Sequence, residues 1–273
     1  ESGFVEYGAS PLEPLELYKA KSGSEIVDEQ TFTFIDRGDR EVALRPEMTP
    51  TLARMVAAKR KSLKFPLRWF SIPNLFRYEK PQKGRKREHY QLNCDILGIA
   101  GVEAEVEIVS LVHKIMLAFG AKETDFIIKI NDRKNLEEFL VKNGVSKENI
   151  QPVFKLLDRK GKIEDSEYRD ELTKLGMNPD LEIKDIVNLE EYKNKGINNI
   201  VFDYSIVRGF DYYTGMVFEV YDTSEENKRA LLGGGRYDNL LEIFGVEPVP
   251  TVGFGMGDIT IRDFLETHNL PLK

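Results

Sequence analysis

The chain has 273 residues, 41% apolar and 31% charged, with 39 Lys and Arg against 46 Asp and Glu, a net charge of −7. That length supports a sizeable core, as one large domain or as a domain carrying a smaller insertion. No apolar run approaches the roughly 20 residues that cross a bilayer, ESGFVEYGAS lacks the basic-then-apolar pattern of a secretory leader, and a single cysteine, Cys94, excludes an internal disulfide and makes a reducing cytoplasm the default.

In chain order, GFVEYGASPLEPLELY reads as a short strand that breaks at Pro11, because proline has no N–H to give a central sheet. TFTFIDRGDREVAL reads as a hairpin turning at RGDR, with Phe32, Phe34, Val42 and Leu44 in alternation. Thr49 is placed to cap a helix over 50–59, with Pro50 at the first position where its missing N–H costs nothing. Residues 67–79 and 89–99 form a long antiparallel pair, 103–119 has helical periodicity and 125–130 is a strand. From 132 to 199 the pattern becomes amphipathic helices, after which strands return (IVFDYSIV, GMVFEVYD, ALLGGG, TVGFGMG) and run into a last helix. Strands interrupted by a helical block predict an α+β fold. The division expected is a catalytic domain over 1–131 and 200–273, with a helical insertion domain over 132–199. Both ends are abrupt, so the chain reads as a piece of something longer.

The strongest charge signal is FRYEKPQKGRKREHYQLNCD, residues 76–95. Arg77, Lys80, Lys83, Arg85, Lys86 and Arg87 stand there against Glu79 and Glu88, on an acidic chain. Such a local excess suits a polyanion, either a nucleotide or a nucleic acid backbone. On the return strand Gln91, Asn93 and Asp95 share one face, either as a binding floor or as a plain solvated face. RGFDYYTG places Arg208, Tyr212 and Tyr213 at a strand entry, where an arginine fork fits a carboxylate or phosphate; a tight turn with half-buried tyrosines is the simpler alternative. LRPEMT sets Glu47 and Thr49 at a strand-to-helix transition, GGGRYD ends a strand with three glycines, and GFGMGD leads into a helix N-terminus. With Cys94 and three scattered histidines (His89, His113, His268), a zinc site is not expected, and no metal is assigned to side chains.

LRPEMT, FRYEKPQKGRKREHYQLNCD, RGFDYYTG, GGGRYD and GFGMG, in that order, resemble the catalytic core of histidyl-tRNA synthetases, which are class II aminoacyl-tRNA synthetases. The resemblance spans about residues 2–270, loosely over 132–199, and GFVEYGASPLEPLELY resembles the dimer-forming motif 1 of that class. It implies an antiparallel sheet flanked by helices, a homodimer, and ATP (with Mg²⁺), L-histidine and tRNA(His) as substrates. By position, Arg77 is implied to grip the ATP α-phosphate, with Glu79 beside the adenine end and Arg85 and Arg87 near the β/γ-phosphates. Gln82, Lys83 and Arg85 are implied at the tRNA acceptor end. The resemblance likewise implies that Glu47 and Thr49 hold the histidine α-amino group, that Gln91 and Asp95 line its pocket, that Tyr212 and Tyr213 enclose the imidazole, and that Arg208 contacts the reacting carboxylate and phosphate. Two departures stand out: Asp95 replaces the usual glutamate, and Thr260 stands where relatives carry a phosphate-binding arginine, with Arg262 two residues on. The family's C-terminal anticodon-binding domain has no counterpart in these residues, and 132–199, with 13 positive and 15 negative residues, has no net pull on RNA. A histidine-sensing paralogue without catalysis, such as the regulatory subunit of ATP phosphoribosyltransferase, and a tRNA-sensing pseudo-synthetase domain are the competing readings.

Overall fold

The computed structural model describes residues 2–19, 30–78, 86–184, 186–207 and 212–272. The first half contains β1 (Val5–Glu6), β2 (Leu12–Pro14), α1 (Glu16–Lys19), β3 (Thr33–Ile35), β4 (Glu41–Leu44) and α2 (Thr49–Lys59). There follow β5 (Leu67–Ser71), β6 (Asn74–Phe76), β7 (Glu88–Leu97), α3 (Val102–Ala118) and β8 (Phe126–Asp132). The helical stretch contains α4 (Arg133–Lys142), α5 (Ile150–Asp158), α6 (Asp165–Lys174) and α7 (Glu190–Lys193). The chain then returns through β9 (Ile200–Phe202), β10 (Met216–Asp222), β11 (Ala230–Arg236), β12 (Thr251–Gly257) and α8 (Asp258–Thr267).

The large sheet runs β1-β5-β7-β12-β11-β10-β8-β9, with β6 also paired to β7, and β2-β4-β3 form a separate small sheet. The interior is antiparallel as expected, whereas the two edges, β1 on β5 and β9 on β8, pair parallel. The strand expected over 67–79 is split into β5 and β6 around Ile72 and Pro73, because proline cannot donate to the ladder. Met48, not Thr49, is the N-cap of α2, and no side chain caps it. Thr49 is the first helical residue, which leaves its side chain for other work. The three glycines of GGGRYD lie within β11 and do not end it.

Helix α3 covers one face of the sheet. Val106, Val109, Val112 and Met116 recur at helical spacing and pack on Ile96, Phe126, Ile128 and Phe218. Glu103 and Glu105 in its first turn suit the positive end of the helix dipole. Glu105 also pairs with the buried Arg236 of β11 at 2.5 Å, and the same guanidinium donates to Gly101 O and Ile99 O. That ties the start of α3 to the sheet. A second core gathers Leu136, Leu140, Val153, Phe154, Leu157 and Leu172 from α4–α6. A third lies under the sheet's other face and contains Leu52, Val56, Ile206, Tyr212, Tyr213 and Tyr237.

Candidate active site

Alternation along β7 decides which side chains reach the open face of the sheet. Gln91, Asn93 and Asp95 line a pocket of about 160 Å³ there, while Cys94 and Ile96 point into the main core. Glu47 and Thr49 at the start of α2, Arg77 just beyond β6, and Tyr212, Tyr213 and Tyr237 form the walls. Gly253 and Gly255 of β12 lie opposite Asp95 and Asn93. A Cβ on Gly253 would meet Cys94 O at 2.7 Å and the Asp95 carboxyl, and one on Gly255 would meet Gln91 Nε2 at 2.5 Å. Both glycines are there because polar side chains of the neighbouring strand lie over them.

The two carboxyls of the pocket are each held by a tyrosine. Tyr212 Oη donates to Glu47 Oε2 at 3.4 Å. Tyr237 Oη donates to Asp95 Oδ1. Both acids are buried, 3% and 4% exposed. Burial pushes the Asp95 carboxyl up to about 7, against the opposing pull of the Tyr237 hydrogen bond. Burial and the nearby Asp95 in turn raise the Tyr237 phenol well above its ordinary value. The three tyrosine rings pack together, with Tyr212 centred 4.8 Å from Tyr213 and 5.6 Å from Tyr237.

Arg77 is aimed by main-chain contacts: its Nε donates to Pro46 O at 2.9 Å and its N–H to Arg87 O at 2.9 Å. Its charge, after burial, depresses the pKa of the His89 imidazole. Arg45, buried in the same loop, donates to Ala9 O at 2.8 Å, Asn74 O at 3.0 Å and Asn74 Oδ1 at 3.1 Å. It thereby fastens Pro46 and Glu47 to two distant segments.

Seven of the residues singled out from the sequence thus surround one pocket: Glu47, Thr49, Arg77, Gln91, Asp95, Tyr212 and Tyr213. Arg87 is not among its lining residues, and its guanidinium lies 4.1 Å over the Tyr78 ring. Glu79, Gln82, Lys83, Arg85 and Arg208 lie outside the described residues. Thr260 turns its hydroxyl to Leu231 O at 2.8 Å. Arg262 pairs with Glu266 at 2.7 Å and lines a separate groove with Tyr90 and Asp258, so it does not enter the pocket. Tyr237, Gly253, Gly255 and Arg45 carry no individual role in the sequence reading, and Asn93 enters it only as part of the strand face it shares with Gln91 and Asp95. Asn93 was signalled by its alternation with Gln91 and Asp95, and Tyr237 by its place after the glycine triplet, whereas Arg45 carried no signal beyond its charge.

The family described as Histidyl-tRNA synthetase matches residues 2–181 and 181–258. A histidine–tRNA ligase from Leptospira biflexa is 48% identical over 98% of this chain and 68% of its own length. The chloroplastic/mitochondrial histidine–tRNA ligase of Arabidopsis thaliana is 39% identical over 98% of this chain and 60% of its own. Among solved structures, a histidyl-tRNA synthetase from Nostoc sp. PCC 7120 superposes with a TM-score of 0.78 at 22% identity, over 98% of this chain and 68% of that one. A Bacillus halodurans protein titled ATP phosphoribosyltransferase regulatory subunit/histidyl-tRNA synthetase superposes at 0.79 and 24% identity, over 95% and 74%. At these identities the two superpositions speak for the fold alone.

Proposed function

This chain belongs to the histidyl-tRNA synthetase family of class II aminoacyl-tRNA synthetases, and from that premise we propose that its pocket activates L-histidine with ATP before transfer to tRNA(His). The reaction class is that of a ligase. The observation that carries the site assignment is the meeting of Glu47, Thr49, Arg77, Gln91, Asp95, Tyr212 and Tyr213, drawn from separate parts of the chain, around one pocket.

In this reading Glu47 and Thr49 take the α-amino group of histidine, and Gln91, Asp95, Tyr212 and Tyr213 take the rest of the amino acid. The histidine carboxylate attacks the ATP α-phosphorus in line, the bond to the β-phosphate oxygen breaks, and pyrophosphate leaves. Two anions must approach one another, so positioning and charge neutralisation do most of the work. Arg77 and Arg208 supply fixed positive charge at the reacting groups, and Mg²⁺ arrives with the nucleotide as part of that substrate. Glu79, Arg85 and Arg87 attend the rest of the ATP, while Gln82, Lys83 and Arg85 meet the tRNA acceptor end. The terminal ribose hydroxyl of the tRNA then attacks the adenylate carbonyl and AMP departs, a step that needs no side-chain nucleophile.

We assign residues 132–199 to a helical insertion domain, an assignment supported by the core that α4–α6 share. The assembly is a homodimer, a reading supported by the exposed apolar Val5, Phe34 and Ile35 at the strand edges of the N-terminal region. The buried free thiol of Cys94 suits a reducing cytoplasm. Histidine-dependent ATP–pyrophosphate exchange tests the reading. Exchange that requires L-histidine supports it, and none in folded protein that still binds histidine would replace it with the sensing role.

A further inference from the structure

Residues 131 to 133 mark the point where β8 passes into α4, and they grip both flanks of the segment that contains Arg208. Asn131, fully buried, donates its Nδ2 to Ile206 O at 3.0 Å and Tyr204 O at 3.3 Å. Arg133, 7% exposed, donates from its guanidinium to Val207 O at 3.2 Å. Its main-chain N–H donates to Gly215 O at 3.0 Å. Arg208 follows Val207 directly in the chain, and Tyr212 and Tyr213 precede Gly215.

The grip falls on a seam between two cores. Ile206 packs with Tyr212, Tyr213 and Tyr237 beneath the pocket. Its neighbour Val207 packs instead with Leu136, Val153 and Phe154 of the helical core, and the Arg133 guanidinium lies 5.4 Å from the centre of the Phe154 ring. Two adjacent side chains pulled into different cores leave the main chain between them as the part that must be held. A buried cation and a buried amide that both donate to its carbonyls do so at the cost of their own hydration.

We propose that Asn131 and Arg133 are positioning residues for histidine activation, holding residues 204–207 and Gly215 on either side of Arg208 so that this arginine meets the reacting groups in register. This rests on the reading of Arg208 as the arginine at the reacting carboxylate and phosphate. Neither positioning residue lines the pocket, so they act through the backbone they hold.

The test is Arg133→Met, which removes the donors to Val207 O but keeps a long apolar stem against Phe154, with Arg133→Lys as the conservative partner. Histidine-dependent ATP–pyrophosphate exchange is measured as kcat and KM, alongside thermal melting. Since a shift of about 1 Å at a reacting group costs on the order of 100-fold in rate, Arg133→Met should lower kcat by about that factor while KM for histidine changes less than about threefold. Arg133→Lys should recover part of the loss. In an Arg208→Lys background, Arg133→Met should cost far less than it does alone. An unchanged kcat in folded Arg133→Met overturns the proposal, as does an equal loss in both backgrounds. Should Arg133→Met fail to fold, kcat in Arg133→Lys decides: a fall of about tenfold at constant KM supports the proposal, and the wild-type value sinks it. Wild-type protein without any exchange overturns the reading of Arg208 itself. The grip then stands or falls on peptide-resolved hydrogen exchange, with faster exchange at 204–207 and 213–216 in Arg133→Lys supporting it and unchanged exchange refuting it.

Discussion

At Asp95, burial and a tyrosine hydroxyl pull in opposite directions, and burial wins. Its carboxyl rises from 3.8 to about 7 in the folded protein, so the folded state binds this proton more tightly than the unfolded chain does. Below pH 3.8 the group is protonated in both states and burial costs nothing through it. As pH climbs towards 7 the folded state is increasingly penalised, and above about 7 the penalty is constant. Asp95→Asn should therefore melt above the wild type at alkaline pH and close to it in acid, as measured by thermal unfolding across that range. The same change should raise KM for histidine in the exchange assay by about 10- to 100-fold, the worth of one hydrogen bond to a charged group. Unchanged KM would remove Asp95 from the amino-acid pocket.

Among the elements, the packing of β12 against β7 carries the most consequence for the site. β12 has glycine at every second position, Gly253, Gly255 and Gly257, and Asp95 and Gln91 of β7 lie close over the first two. At Gly253 an added methyl meets a main-chain oxygen, Cys94 O, at 2.7 Å, which cannot swing aside as a side-chain end can. Gly253→Ala should lower stability by about 1–3 kcal/mol, the usual cost of overpacking, read from urea unfolding. At Gly255 the obstacle is the end of a flexible side chain, Gln91 Nε2. Gly255→Ala should thus fold nearly as well as the wild type yet bind histidine more weakly, because Gln91 must swing away. Equal stability losses at both positions would contradict this account of the floor.

For the whole molecule, the separation of cores and the bare apolar edge make different demands. The sheet with α3 and the α4–α6 unit each bury their own apolar residues, and residues 131–133 join them by hydrogen bonds. Phe34 and Ile35 remain 48% and 68% exposed on β3, an edge of the small sheet that the proposed homodimer would use as its interface. Ile35→Asp should convert a dimer to a monomer in sedimentation velocity without lowering the helix and strand content. Wild-type protein that sediments as a monomer would dispose of the dimer.

The strand-and-helix order, the helical interruption and the alternation that sends Gln91, Asn93 and Asp95 to one face were legible in the sequence, because each is a local periodicity imposed by backbone geometry. So were the individual groups of Arg77, Glu47 and the tyrosine pair, as residue types suited to anions and small polar ligands. Local pattern missed the break at Pro73 and the interior place of the glycine triplet, since a run of apolar and small residues does not mark where a ladder stops. It also took Thr49 for a helix cap when the chain spends that residue on the pocket wall.

What only the tertiary structure decided is which groups face one another. Tyr237 and Asp95 are 142 positions apart in the chain, and Asn131 reaches Ile206 across 75. Those pairings depend on strand order and register, and a strand's own residues do not specify its neighbour. The chain's residues therefore determined the chemistry available to this protein and the faces it would appear on. The assembled sheet determined that two buried acids each receive a tyrosine hydroxyl, and that a buried amide and guanidinium hold the approach to Arg208. Burial, which sets the strength of both arrangements, exists only once the distant strands have come together.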